Sequence, residues 1–174
     1  QKNIETLIHA FGQSRLREQA NLILFIGCRD SVEEMNDEQG ALFKKIFSLV
    51  DRYDLYGSIA FPKRHLREDV AALLHYTRLH RGVLVNVSYH ENFGMTLVEA
   101  AAAGVPVVSS GAGGMADILR SCRHGLTADA GDPSMIADRI NAIISSRSLW
   151  RVFSRRGRER SLGLYSWAAF ADRY

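Results

Sequence analysis

Apolar residues along the chain occur in two alternating patterns. In the first, they recur every three or four positions, as in Ile4, Leu7 and Phe11, which is typical of an amphipathic helix. In the second, they form short continuous runs, which are typical of strands buried on both faces. The patterns predict helices around residues 4–11, 42–50, 70–74, 95–103, 118–119, 136–144 and in the tail, and strands around residues 22–26, 55–61, 82–87, 105–109 and 126.

This alternation predicts an α/β fold with a mainly parallel sheet and helices on both faces. Local signals mark the ends of some elements: Asn3 and Asp132 can cap helices, and Gly104 can end one. The chain opens with a helix, whereas a domain of this class normally opens with a strand. We therefore expect one domain, residues 1–174, that lacks at least one strand on its N-terminal side.

Composition is that of an ordinary globular domain. Hydrophobic residues make up 47% and charged residues 24%, and no apolar run approaches the roughly 20 residues that cross a bilayer. No signal-peptide pattern opens the chain, so we expect a cytoplasmic protein that does not bind membranes. Cys28 and Cys122 are too few for a disulfide framework and lack zinc-site spacing, so we interpret them as packing residues.

The net charge of +3 owes much to arginines late in the chain, where six of them lie between residues 147 and 160. A basic stripe of this kind can bind phosphates or nucleic acid. No aromatic platform or nucleic-acid-binding motif accompanies these arginines. We therefore interpret them as the solvated face of a helix, and we expect no nucleic-acid partner.

The loop at residues 89–99 carries residue types that bind substrates. In a parallel sheet, ligands bind at the carboxyl ends of the strands, where loops lead into helix N-termini. This loop holds Glu91 and Glu99 on either side of a turn at Gly94. The two carboxylates can accept hydrogen bonds from sugar hydroxyls. The backbone amides that can bind a diphosphate between them belong to Met95, Thr96 and Leu97.

Each glutamate also has a structural interpretation. Thr96 and Glu99 have the spacing of a capping box, in which Glu99 would bind backbone amides of its own helix. By spacing alone, this role and ligand binding are equally supported. Glu91, taken alone, is an ordinary exposed loop carboxylate.

A second loop, residues 111–116, fits the G-x-G-x-x-A pattern of dinucleotide-binding domains. Asp129 and Asp132 lie near the distance expected of a ribose-binding acid. A lone match is weak, however, and this one falls late in the chain before a short helix. The other interpretations are a glycine loop that contacts phosphate or sugar, and a plain tight turn.

Metal chemistry has little support. The six histidines contain no H-x-x-x-H pair, and the sequence contains no D-x-D motif. We therefore expect no metal and no cofactor, with any diphosphate held by helix N-termini and basic side chains.

Several segments carry a resemblance to a known family. Residues 91–100, E-N-F-G-M-T-L-V-E-A, resemble the E-x7-E signature of retaining GT-B glycosyltransferases. The segments that resemble the sucrose-phosphate synthase branch of this family are K-N-I-E-T-L at 2–7, G-C-R-D at 27–30 with E-M at 34–35, Y-D-L-Y-G at 53–57 followed by A-F-P-K at 60–63, and Y-S-W at 165–167. The resemblance implies a Rossmann-like fold, the C-terminal half of a GT-B enzyme, which binds the nucleotide-sugar donor.

The resemblance also implies roles for individual residues. Lys2 matches the lysine that neutralises the donor phosphates, and Glu91 matches the glutamate that faces the donor sugar, so both are candidate catalytic residues. Glu99 matches the glutamate that binds the ribose hydroxyls. The turn that cradles sugar and diphosphate and the loop that approaches the uracil base supply the other candidate donor-binding residues. These are Gly94, Met95, Thr96, Leu97, Lys63 and His65.

By this resemblance, the parent enzyme transfers glucose from UDP-glucose to fructose 6-phosphate with retention of configuration. The alternatives are a related enzyme with another acceptor (sucrose synthase or mannosylfructose-phosphate synthase), a non-catalytic sugar-nucleotide-binding or dimerisation module, and an NAD-binding domain. Asn92 and Met115 stand where the family usually has proline, but neither change removes a contacting side chain. An arginine of the family and the N-terminal acceptor domain fall outside residues 1–174, so we expect the chain alone to be inactive.

Overall fold

The computed structural model describes residues 2–27, 29, 31 and 35–171, which alternate between helices and short strands. The helices are α1 (Ile4–Gly12), α2 (Leu16–Gln19), α3 (Asp37–Tyr53), α4 (Arg67–Leu79), α5 (Met95–Ala103), α6 (Gly114–Cys122), α7 (Pro133–Ser145), α8 (Arg147–Tyr165) and α9 (Trp167–Ala171). The strands are β1 (Leu22–Ile23), β2 (Ile59–Ala60), β3 (Leu84–Asn86), β4 (Val107–Ser109) and β5 (Gly125–Thr127).

The paired strands of the described chain are all parallel. β1 pairs with β2, with Leu22 opposite Ile59. The other three strands form a sheet in the order β3-β4-β5, in which Val108 lies between Val85 and Leu126. Because parallel strands share one carboxyl edge, the loops that follow β3, β4 and β5 lie at the same edge of this sheet.

Helices pack against both faces of the strands. In β4, Val107 and Val108 are both fully buried but belong to different hydrophobic clusters, because successive side chains of a strand point to opposite faces. The cluster that contains Val108 includes residues of α1, α3 and α7, and the one that contains Val107 includes residues of α4, α5 and α6. The expected α/β architecture is therefore confirmed.

Two predicted helix ends are confirmed and one is wrong. Gly104 ends α5 in the left-handed conformation, with φ of 75°. Asp132 caps α7, because its carboxylate accepts a hydrogen bond from the Met135 amide at 3.0 Å. Asn3 precedes α1 as expected, but its side chain makes no capping hydrogen bond with that helix.

Predicted boundaries also need correction, because the described strands are shorter than their apolar runs; β1, expected over residues 22–26, contains only Leu22 and Ile23. The strand expected over residues 55–61 contains only the two residues of β2. The Leu55 amide donates to the Val50 carbonyl at 3.0 Å, so the chain leaves α3 through a turn before it can extend. The helix α3 begins before its apolar pattern does, because the Asn36 side chain caps it by accepting a hydrogen bond from the Gln39 amide.

The surface and the cysteines agree with the sequence interpretation where the structure describes them. All six late arginines are exposed on α8. Cys122 is fully buried, and burial raises the pKa of its thiol, as expected of a packing residue. Cys28 lies outside the described residues, as do Asp30 and Glu34 of the family motif. Within the described ranges, no helix has the length and apolar character needed to span a bilayer.

Candidate functional site

The two candidate catalytic residues are far apart in sequence but lie in contact. The Lys2 ammonium donates to the Glu91 carboxylate, with 3.2 Å between Nζ and Oε2. The Lys2 side chain is 66% exposed, whereas that of Glu91 is only 20% exposed. In this pair, an exposed positive charge therefore lies beside a mostly buried carboxylate, in the loop that follows β3.

Asn3 holds the chain at this position. Its side-chain amide donates to the Val87 carbonyl at 3.0 Å and to the Ala130 carbonyl at 2.7 Å, and its oxygen accepts a hydrogen bond from the Thr6 hydroxyl. Its backbone is left-handed, with φ of 52°, a conformation that asparagine tolerates better than most residues. These bonds tie Lys2 to the carboxyl edge of the sheet. Sequence reasoning missed this role because asparagine before a helix indicates a local cap.

The turn into α5 presents backbone amides to solvent. Gly94 adopts φ of 91°, and a Cβ there would lie 2.8 Å from Met115 Cγ, so both conformation and packing require glycine. Met95 and Thr96 are exposed in the first turn, where a helix leaves its amides without intrahelical partners. Leu97 is fully buried, and its amide donates to the Gly94 carbonyl at 2.9 Å. Of the three predicted amides, those of Met95 and Thr96 are therefore the better suited to an anion.

The capping-box interpretation of Glu99 is wrong. The residue before α5 is Gly94, and no side chain caps this helix. Glu99 is exposed, and in the described part of the chain its carboxylate has neither a hydrogen bond nor an ion pair. Its two oxygens are therefore free to accept hydrogen bonds from a ligand.

The glycines of the second loop allow close packing against the first loop. A Cβ on Gly113 would lie 1.9 Å from the Glu91 carbonyl oxygen, and one on Gly114 would lie 2.4 Å from the Phe93 carbonyl oxygen. The Gly114 amide also donates to the Asn92 carbonyl at 3.2 Å. Neither glycine has room for a side chain, and the Gly114 amide is bonded to the first loop, which favours a structural role for these glycines.

The candidate base-binding residues lie in a separate loop after β2. The Arg29 amide donates to the Lys63 carbonyl at 2.9 Å, and the Lys63 side chain is exposed. The His65 ring packs edge-on against Phe25, with 4.5 Å between ring centroids. Both residues follow a strand at its carboxyl end, as a ligand-binding loop of a parallel sheet should.

A buried histidine, which sequence reasoning missed, hydrogen-bonds to the backbone of α5. His124 is fully buried, and its Nε2 hydrogen-bonds to the Leu97 carbonyl at 3.1 Å. Within the described structure Nδ1 has no partner. Burial lowers the pKa of His124 to about 4, so the ring is neutral at physiological pH and Nε2 donates the proton. No sequence signal distinguishes it from the five other histidines.

Metal-ligating side chains do not cluster in the described ranges. No group of three or more histidine, cysteine, aspartate or glutamate residues there could hold a metal ion. The candidate site consists instead of a lysine, two carboxylates and helix-start amides.

The sequence is similar to named glycosyltransferases. Residues 1–160 match the family described as glycosyl transferases group 1. Over 99% of its length, the chain is 42% identical to a probable sucrose-phosphate synthase 1 of Oryza sativa subsp. indica and 41% identical to a sucrose-phosphate synthase of Zea mays. It spans 16% of the length of each of these relatives.

Solved structures share the fold. A sucrose-phosphate synthase from Thermosynechococcus elongatus is 31% identical and superposes with a TM-score of 0.82, over 99% of this chain and 40% of that one. Anabaena HepE in complex with UDP-glucose is 20% identical and superposes with a TM-score of 0.80, over 99% of this chain and 43% of that one. These likenesses confirm the expected Rossmann-like half of a GT-B fold.

Proposed function

This chain belongs to the glycosyl transferases group 1 family, and we propose that it is the domain that binds the nucleotide-sugar donor, UDP-glucose. The observation that carries the proposal is the contact between Lys2 and Glu91 in the loop that leads into α5. It joins a phosphate-binding charge and a sugar-binding carboxylate at the edge of a parallel sheet where ligands bind.

The diphosphate of the donor binds at the amino end of α5. There the amides of Met95 and Thr96 lack intrahelical partners, and the helix dipole favours an anion. The exposed Lys2 ammonium adds a full positive charge. Together these groups stabilise the negative charge that develops on UDP as its bond to glucose breaks.

The sugars of the donor bind on either side of that diphosphate. Glu91 accepts hydrogen bonds from glucose hydroxyls once the phosphates replace it as the partner of Lys2. Glu99, whose carboxylate has no partner in the described chain, accepts hydrogen bonds from the ribose hydroxyls. Lys63 and His65 approach the uracil base. In this proposal no metal bridges the diphosphate.

For the whole protein, we propose transfer of glucose to fructose 6-phosphate with retention of configuration. The support is the identity of 42% to a protein named as a probable sucrose-phosphate synthase, of whose length this chain spans 16%. The choice of UDP-glucose draws further support from the Anabaena neighbour, which was solved with that nucleotide sugar. The acceptor binds in a second domain, which faces the donor across a cleft.

Calorimetric titration of this chain with UDP, uridine and NAD tests the proposal. We expect UDP to bind, and Lys2→Met to weaken UDP binding while leaving uridine binding unchanged, because uridine has no phosphates. Glu99→Gln should weaken both about tenfold, since it removes charge-assisted hydrogen bonds to the ribose. Glu68→Gln, an exposed carboxylate on α4, is the matched control and should change nothing. If UDP fails to bind, or NAD binds in its place, the proposal is wrong.

A further inference from the structure

A cavity of about 590 Å³ opens at the carboxyl ends of β3, β4 and β5. Among the described residues, none of the proposed donor contacts lines it. Its polar wall comes from the ends of all three strands and the loops after them. The polar residues are Ser88, Tyr89, Ser110, Thr127 and Asp129. Its volume is that of a small-molecule site, and its position is where open parallel sheets bind ligands.

Several polar groups that line this cavity have donors or acceptors that no other group uses in the described chain. One oxygen of Asp129 accepts a hydrogen bond from the Gly131 amide at 2.7 Å, which orients the carboxylate and leaves the other oxygen available. Thr127 and Tyr89 are exposed, and in the described chain their hydroxyls have no partner. The Ser110 hydroxyl donates to the Ser88 carbonyl at 2.6 Å and accepts from the Ala112 amide at 3.4 Å, which leaves one lone pair of its oxygen available. The wall therefore offers both donors and acceptors.

The charge of the lining favours an uncharged ligand over a phosphate group. Asp129 contributes a carboxylate, and no lysine or arginine of the described residues lines the cavity. The nearby Arg139 guanidinium donates to the Thr127 carbonyl at 3.2 Å, but Arg139 is not itself one of the residues that line the cavity. An anion here would meet an uncompensated negative charge, whereas a neutral hydroxyl would find an acceptor.

The remaining wall is apolar. Ala112 and Met135 line the cavity, and the Tyr89 ring presents an apolar face with a polar tip. A ligand that fits both walls is compact, uncharged and hydroxylated, with apolar C–H groups between its hydroxyls. A monosaccharide ring has this chemistry.

We propose that the cavity at the ends of β3, β4 and β5 binds an uncharged sugar ring, at a site separate from the donor site. The ring is that of a free, unphosphorylated sugar, since no lysine or arginine of the described residues lines the cavity. The inference rests on the lining of the cavity and does not depend on the donor assignment. Because Tyr89 is two residues from Glu91, the bound ring lies near the loop that holds the candidate catalytic carboxylate.

Amide NMR spectra of this chain, titrated with D-fructose, D-glucose and fructose 6-phosphate, test the proposal. We expect saturable shifts, with millimolar affinity, of the amides at 88–89, 110–112 and 127–130. Fructose 6-phosphate should bind no more tightly than fructose, and inorganic phosphate should not compete. An absence of saturable shifts, or tighter binding through the phosphate, overturns the proposal.

Variants of the lining provide the decisive comparison. Ala112→Leu fills the cavity and should abolish binding. Thr127→Val keeps the shape and removes one hydroxyl, so it should weaken binding about fivefold. Asp129→Asn keeps the acceptor of the Gly131 amide and removes the charge, and should weaken binding about tenfold.

Asp138→Asn, an exposed carboxylate on α7, is the matched control and should leave the affinity unchanged. If the Ala112→Leu chain does not fold, the Thr127→Val comparison decides. Unchanged affinity in Thr127→Val and Asp129→Asn assigns any observed shifts to another surface and overturns the proposal.

Discussion

Acidification from pH 7 to pH 5 should destabilise this fold through one buried side chain, His124. Burial lowers the pKa of His124 to about 4 from the ordinary 6.5. Between these two values the unfolded chain takes up a proton on the ring and the folded chain does not. Stability is therefore highest above pH 6.5, falls as the pH drops towards 4, and changes no further through this group below 4.

The size of the effect follows from the two pKa values. Their full difference corresponds to about 3 kcal/mol, of which about 2 kcal/mol is lost between pH 7 and pH 5. The structural reason is that His124 is fully buried, with Nε2 bonded to the Leu97 carbonyl and Nδ1 without a partner in the described chain. A second proton on the ring would have no acceptor and no solvent.

Urea denaturation of the wild-type and His124→Gln chains at pH 7 and pH 5 measures this loss. Glutamine can still donate to the Leu97 carbonyl but does not titrate, so the wild type should lose about 2 kcal/mol more than the variant. His75→Gln, at an exposed position on α4, should keep the wild-type pH dependence. Equal pH dependence in the wild-type and His124→Gln chains would refute the reasoning.

Four further outcomes are expected. Gly113→Ala should lower the free energy of unfolding by about 3 kcal/mol, because its Cβ would meet the Glu91 carbonyl. Gly163→Ala in α8, where the Cβ has open space, should raise the free energy of unfolding by about 0.5–1 kcal/mol. Thermal melts measure both changes. Asn3→Ala should lower the free energy of unfolding, measured in urea, by about 3 kcal/mol and weaken UDP binding, since three side-chain hydrogen bonds are lost. A chelator should leave UDP affinity unchanged in calorimetry. Glu91→Gln in the full-length enzyme should cut turnover severely without abolishing donor binding.

Much of the fold and the family could be predicted from the sequence. The alternation of helices and strands is confirmed because hydrophobic periodicity reports which faces of each segment are buried. Gly104 and Asp132 end helices as predicted, since glycine conformation and side-chain capping act within a few residues. The resemblance to sucrose-phosphate synthases, which short motifs carry, is confirmed by similarity to proteins of that name, one of them 42% identical. The same motifs identified Lys2 and Glu91 as candidates.

The tertiary structure decided how these residues meet. Only folding brings Lys2 to Glu91, and only the meeting of two loops explains why Gly113 lacks room for a side chain. Asn3 and Glu99 have the spacing of caps, yet Asn3 binds carbonyls from two distant segments and Glu99 has no capping bond. Propensity and spacing describe neighbours along the chain. The roles of Asn3 and Glu99 depend instead on which distant segments lie beside them. The packing of the two hydrophobic cores determines which segments those are.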